Sequence, residues 1–278
     1  METVEDIILR YSKRGMPVLR EHLPADYCTR AARTLLSLKR GTVLLTTGFY
    51  VYGRAETDGP AGTFAVARAL KRLGFIPVIV TDRFCRGLFE PSGYETVYFP
   101  LDGNVRDAES ILERYAPVAL FSLERCGLNA EGHYANMHNV PIDAWTAPTD
   151  LLFRIGEGWL ATVAVGDGGN EIGMGTLRDV IKAELDVVPC IVPAEHLIVS
   201  TVSNWGGYGL CAALGRLTGE DLVPTPETIR AFMREAAGTG GCLDGVTGET
   251  ALTEDGFSPA VSERILRALR AAQTGAKE

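Results

Sequence analysis

The residues best suited to chemistry are acids set among glycines just after apolar runs. The decapeptide GDGGNEIGMG, Gly166 to Gly175, follows the run WLATVAV and places Asp167, Asn170 and Glu171 among five glycines. Hard divalent cations such as Mg²⁺ or Mn²⁺ take their oxygen ligands from these side-chain types. Glycine lets a backbone bend tightly enough to turn several such groups inward. The competing reading has Asp167 capping a turn and Glu171 in solvent. A nucleotide loop does not fit. Gly166-x-Gly168 is followed by Glu171 where G-x-G-x-x-G needs its third glycine, Gly173-x-Gly175 is followed by Arg178, and no G-x-x-x-x-G-K-[ST] occurs.

Similar clusters end other apolar runs. ETDGP (56–60) adds Glu56 and Asp58 as further candidate metal ligands. Its Pro60 suits the first turn of a helix capped by Asp58 or Gly59, whose N-terminus would hold a substrate carboxylate or phosphate. SLER (122–125) offers Glu124 as a metal ligand or general base and Arg125 as a grip on a substrate carboxylate, unless the two form a surface ion pair. Thr47, Gly48 and Asn136 stand in comparable positions and join the candidate substrate-binding set. In SNWGGYG (203–209), Ser203 and Asn204 could touch a ligand, while Trp205 and Tyr208 either wall a pocket or pack a turn. His133 and His138 have no third soft ligand nearby, which disfavours a zinc site. No G-x-S-x-G elbow and no activated cysteine is present, so nucleophilic hydrolysis is disfavoured.

The elements that must position these groups alternate along the chain. Helical patterns over 24–39, 61–74, 106–116, 142–156, 175–185 and 208–219 separate apolar runs at 42–47, 75–82, 95–100, 117–124, 160–165 and 196–203. Two more helices are expected near 225–237 and 258–273. Continuous apolar strands separated by helices predict an α/β fold: a mostly parallel sheet with helices on both faces. The carboxyl ends of all its strands lie on one edge, where ligands bind in such sheets. Every acidic cluster above falls on that edge. A single domain over 1–278 is expected, with an N-terminal helical segment (1–40) and a C-terminal loop and helix (238–278). The looser stretch 238–256 reads as a functional or capping loop.

Composition narrows the function classes. The 278 residues are 46% hydrophobic and carry a net charge of −8, enough for a sizeable core and without the basic stripe that nucleic acid requires. The six cysteines are scattered with no C-x-x-C pair, as for reduced thiols in a cytoplasmic protein. No apolar run approaches the ~20 residues of a membrane span, and METVEDIILRYSKRG lacks the features of a signal peptide. The expected partner is a small molecule, an acidic amino acid or its lactam. A homo-oligomer stays open, because the N-terminal helical segment could cover its own core or a neighbour's.

Taken together and in order, ETDGP, SLERCG, GHYANM, GDGGNEIGMG, VSNWGGYGL and DGVTG resemble the C-terminal domain of the D-glutamate cyclase family, over about residues 40–250. The resemblance implies an α/β lyase that closes D-glutamate to 5-oxo-D-proline with loss of water, assisted by Mn²⁺ or Mg²⁺, although a metal-free site stays open. For that reaction the acidic strand ends offer Asp167 and Glu171, with Asp58, as metal ligands and Glu124 as general base, with Arg125 or the ETDGP helix end holding the α-carboxylate. Organelle-targeted members carry a further N-terminal domain with no counterpart in these residues. In the family pattern an arginine and a glycine follow NM; here His138 and Asn139 stand there. The alternatives are a metal-dependent phosphohydrolase and a non-catalytic small-molecule-binding module.

Overall fold

The computed structural model describes residues 2–274; Met1 and residues 275–278, which the expected domain and its C-terminal part include, lie outside the described residues. The strands in chain order are β1 (Thr42–Thr47), β2 (Tyr50–Val51), β3 (Arg54–Ala55), β4 (Ile76–Thr81), β5 (Glu95–Tyr98), β6 (Ala119–Leu123), β7 (Ala161–Gly166) and β8 (His196–Val199). The helices are α1 (Val4–Ile8), α2 (Met16–Arg20), α3 (Tyr27–Ser37), α4 (Pro60–Arg72), α5 (Val105–Tyr115), α6 (Asp150–Gly156), α7 (Arg178–Glu184), α8 (Ser203–Thr218), α9 (Pro226–Glu235) and α10 (Pro259–Thr274). No helix among the described residues is long and apolar enough to cross a membrane.

Six strands form one parallel sheet in the order β5-β4-β1-β6-β7-β8. From β1 the chain runs outward through α4 to β4 and then β5, and returns to the other side of β1 at β6. Crossovers between parallel strands are right-handed. The β1–α4–β4 and β6–α6–β7 units travel in opposite directions along the sheet, so α4 and α6 cover opposite faces. This explains the apolar strands: β1, TVLLTT, is buried from its second residue onward. The sheet reverses direction between β1 and β6, and such a switch point opens a crevice at the carboxyl edge. Register makes that edge level. Thr47 pairs with Leu123 and Leu123 with Val165, so the residues that follow emerge side by side.

Two elements differ from the sequence expectation. The stretch 142–156 is not one helix; a short 3₁₀ turn (Asp143–Trp145) precedes α6, because Pro148 disfavours helical backbone in the residue before it. The run at 196–203 stops as a strand at Val199, and SNWGGYG is the opening of α8 rather than a turn. Its glycines serve packing. A Cβ on Gly62 of α4 would stand 2.8 Å from the Asn204 Cα, and one on Gly207 would stand 3.0 Å from the Gly62 Cα. The two helices therefore touch backbone to backbone. All six cysteines are free and buried.

Candidate active site

The loop after β7 resolves the conflict between its glycines and its acids. The backbone N–H groups of Asp167, Gly168 and Gly169 all donate to the Glu171 carboxylate, at 2.8, 2.6 and 2.6 Å. Successive N–H groups turned inward form a nest that ordinarily receives a phosphate or another anion. Here the chain supplies its own. Gly169 adopts φ +108° to complete the turn, and a Cβ on Gly168 would meet Glu171 Oε1 at 3.1 Å. Asn170 is fixed by its Nδ2, which donates to the Ala135 carbonyl at 2.9 Å. With Glu171 folded inside, Asp167 is carried to the sheet edge and lines the cavity there.

That cavity, about 210 Å³, is also lined by Glu56, Glu124, Asn136, His138, Asn170, Glu171, Asp255 and Arg14. Glu124 directly follows β6 with φ +48°, a left-handed backbone that costs a non-glycine residue on the order of 1 kcal/mol or more and clusters at functional sites. Glu124 Oε2 and Asp167 Oδ2 are buried without a hydrogen-bond donor. Oxygens of Glu124, Asp167 and Glu171 lie within 4.8 Å of one another, as do oxygens of Asp58, Asp167 and Asp255. Arg14 is the one guanidinium in the lining. Its Nη1 donates to Asp167 Oδ1 at 2.8 Å and stands 2.9 Å from Asp255 Oδ2. Burial first, and then the neighbouring acids, push the carboxyls of Glu56, Asp58 and Glu124 well above the usual carboxylate range. For Asp167, burial likewise prevails over the lowering by Arg14. Such a cluster either retains protons or binds a cation.

Residues 4–270 match the family D-glutamate cyclase-like, C-terminal. The chain belongs to this family. It is also 31% identical over 199 residues to the D-glutamate cyclase, mitochondrial, of Homo sapiens, a match covering 62% of this chain and 32% of that protein's length.

Against that family background, the expected site residues divide. Glu56, Glu124, Asn136, Asp167, Asn170 and Glu171 line the cavity; Thr47, Gly48, Asp58, Gly59, Arg125, Ser203 and Asn204 lie outside its lining. The substrate grip expected of Arg125 does not fit its surroundings. The guanidinium is buried and bound to the Gly48 carbonyl, the Ala147 carbonyl, Thr149 Oγ1 and the Asp82 carboxylate, which stands 2.7 Å away. It ties three loops together beneath the sheet edge. Nor is the N-terminus of α4 free for a substrate. Asn204 Oδ1 accepts from the N–H groups of Gly59 and Gly62 at 3.0 and 2.6 Å, and Asn204 Nδ2 donates to the Thr57 carbonyl and to Glu254 Oε1. Asp58 in turn caps α8, accepting from the N–H groups of Ser203 at 2.8 Å and Asn204 at 2.7 Å. One of its oxygens still reaches the group with Asp167 and Asp255. Trp205 and Tyr208 lie outside the lining of this cavity; both are fully buried and donate to Glu254.

Sequence reasoning missed Arg14 and Asp255. Arg14 follows no strand and gave no signal beyond its charge; the chain turns left-handed at Tyr11 and Gly15 on either side of it. Asp255 lies in the loose stretch 238–256, held by Asp244, which accepts from the N–H groups of Val246, Thr247 and Gly256. The departure after NM has a local explanation in part. Asn139 adopts φ +60°, a conformation natural to glycine that asparagine tolerates well, and its Oδ1 accepts from the Val188 N–H at 2.7 Å. His138, where the resemblance leads to the expectation of an arginine, is exposed and lines the cavity.

Proposed function

We propose that this cavity closes D-glutamate to 5-oxo-D-proline with loss of water. Family membership supports the reaction class. The observation that carries the assignment to these residues is the pair of buried, unpartnered oxygens, Glu124 Oε2 and Asp167 Oδ2, facing one small cavity. At about 210 Å³ it is smaller than pockets for drug-sized ligands, which run from roughly 300 Å³.

Lactam closure takes two protons in turn from the α-ammonium, joins that nitrogen to the γ-carbon and delivers both protons to a γ-oxygen, which leaves as water. Glu124 takes the ammonium proton. Burial, and then Asp167 and Glu171, raise its proton affinity, which suits it to accept a proton from the amine and return it to the leaving oxygen. The residues present fit a divalent cation: Asp167 and Glu171 would hold it next to Glu124, where Asp167 Oδ2 and Glu124 Oε2 are buried without a donor. When bound, such a cation polarises the γ-carboxylate as a Lewis acid. Asn136 anchors the substrate. Its Oδ1 is taken by the N–H groups of His138 and Val140, which leaves Nδ2 to donate to the α-carboxylate. A phosphoester substrate suits this centre poorly, because the nest that would bind its phosphate is filled by Glu171.

The test is to incubate the purified protein with Mn²⁺ or Mg²⁺ and either D- or L-glutamate, and to resolve 5-oxoproline by chiral chromatography. Product from D-glutamate alone is expected. A rate no higher than the protein-free control with both enantiomers would refute the reading.

A further inference from the structure

The acidic centre consists of two groups of three carboxylates that share one member. Asp58, Asp167 and Asp255 form the first; Glu124, Asp167 and Glu171 form the second. A shared carboxylate between two such groups is the usual framework for two divalent cations ~3.5–4 Å apart. In the first group, however, the chain provides the positive charge itself. Arg14 Nη1 contacts both Asp167 Oδ1 and Asp255 Oδ2. In the second group Glu124 Oε2 and Asp167 Oδ2 are buried and meet no donor. The two oxygens of Asp167 thus face opposite fates: one is spent on a guanidinium and the other is open. We infer that Arg14 stands in the place of a second divalent cation, so that the centre binds a single one, in the Glu124–Asp167–Glu171 group. This deepens the cation reading given above and holds only if the centre binds a cation at all.

The chemistry of the substitution is specific. A guanidinium stays protonated under all ordinary conditions, and Asp167 beside it raises its proton affinity further. It neutralises acids without offering an open coordination position, so it can neither bind a substrate oxygen as a Lewis acid nor activate a water. Arg14 therefore removes the second metal on which two-metal phosphoester chemistry depends, and leaves one open cation position beside Glu124.

Calorimetric titration with Mn²⁺, paired with electron paramagnetic resonance of the bound ion, tests this on the whole chain. The unsubstituted protein should bind one Mn²⁺ per chain with the spectrum of an isolated ion. Arg14→Leu should bind two, spin-coupled, and Arg14→Lys should return the count to one. Two ions or none in the unsubstituted protein, or one ion in a folded Arg14→Leu, overturns the inference. Should Arg14→Leu fail to fold by circular dichroism, Asp255→Asn decides. Its Mn²⁺ affinity should fall by no more than about 100-fold, the range for losing a group that only supports a ligand; a larger loss, or loss of detectable binding, places the ion in the first group. Turnover plays no part in these readouts. An inactive protein holding one Mn²⁺ would remove the cyclase reading alone, and an active protein holding two would remove the role of Arg14 alone.

Discussion

Two regions of this molecule have nearly the same composition and opposite fates. The loop after β7 and the junction of Glu56–Pro60 with the start of α8 both put acids, an amide and glycines at the carboxyl edge of the sheet. In the first, the nest closes around Glu171, and that closure carries Asp167 out to the cavity with one oxygen unpartnered. In the second, Asp58 caps α8 while Asn204 caps α4, and their glycines let the two helices touch. What separates a site from a seal is whether the local donors and acceptors cancel. Buried polar groups are costly unless paired, so an unpaired buried carboxyl either retains its proton or is completed by a ligand.

The largest expected effect breaks the open region. Glu124→Gln keeps the shape and the backbone but cannot take a proton, so lactam formation should fall by about 10²–10⁴-fold, the usual worth of a positioned general base. Thermal stability should hold or rise, because a buried, charge-crowded carboxyl has been neutralised. Steady-state kinetics beside calorimetric melting checks both halves; unchanged turnover removes Glu124 from the mechanism.

The sealed region should respond in the opposite sense. Asn204→Ala strips partners from the N–H groups of Gly59 and Gly62, from the Thr57 carbonyl and from Glu254. Gly59 keeps Asp58 Oδ1 and Glu254 keeps Ser262, Trp205 and Tyr208, but the Gly62 N–H and the Thr57 carbonyl are left without a partner, which should cost about 2–4 kcal/mol of folding free energy, measured by urea unfolding. At a temperature where the variant is folded, its Mn²⁺ affinity should match that of the unsubstituted protein. A selective loss of cation binding with stability intact would mean that Asn204 serves the site after all.

How far these fates were legible in the sequence follows from the same distinction. The parallel sheet, its helices and the edge that carries the site all show in alternating patterns, because burial on both faces forces long apolar runs. Glu124, Asp167 and Glu171 were legible as candidates because each falls just after or within a few residues of a strand end. The acceptors that absorb Arg125, at Gly48, Ala147, Thr149 and Asp82, are brought together only by the tertiary fold. Asn204 reads as a strand-end ligand until α8 is seen to begin at Ser203. Arg14 reaches the cavity across 153 positions of sequence, and no local pattern encodes a contact of that range.

A smaller effect isolates the close helix contact. Gly62→Ala would put a Cβ 2.8 Å from the Asn204 Cα and 2.8 Å from Leu123 Cδ1. The side-chain atom can yield, but the backbone of α8 must shift. Overpacking of this kind costs about 1–3 kcal/mol. Urea unfolding should register that loss, with the Mn²⁺ count unchanged. If the count changes instead, the helix junction and the cavity are mechanically one unit and the contrast between them fails.

The smallest effect at any single step is a slope with pH, and it separates the two regions by what a cation can relieve. Glu56, Asp58, Glu124 and Asp167 all have folded-state proton affinities raised above those of an unfolded chain. Between the unfolded and folded pKa values the native state therefore holds more protons than the unfolded state. Stability must then fall as pH rises from about 4 through the folded pKa values, by at most about 1.4 kcal/mol per pH unit for each proton retained. Without divalent metal, the melting temperature should decline across that range once the general acid-induced losses of the surface carboxylates are past. Saturating Mn²⁺ should flatten the part of the decline that belongs to Glu124 and Asp167, because a bound cation stabilises their charged forms. The remainder should shrink in Asp58→Asn, whose acid points into the helix junction, and what is left should belong to Glu56. A metal-free slope that is flat or rising would show that these carboxyls are ionised without a cation, and that the unpartnered oxygens of the open region are not held in wait for one.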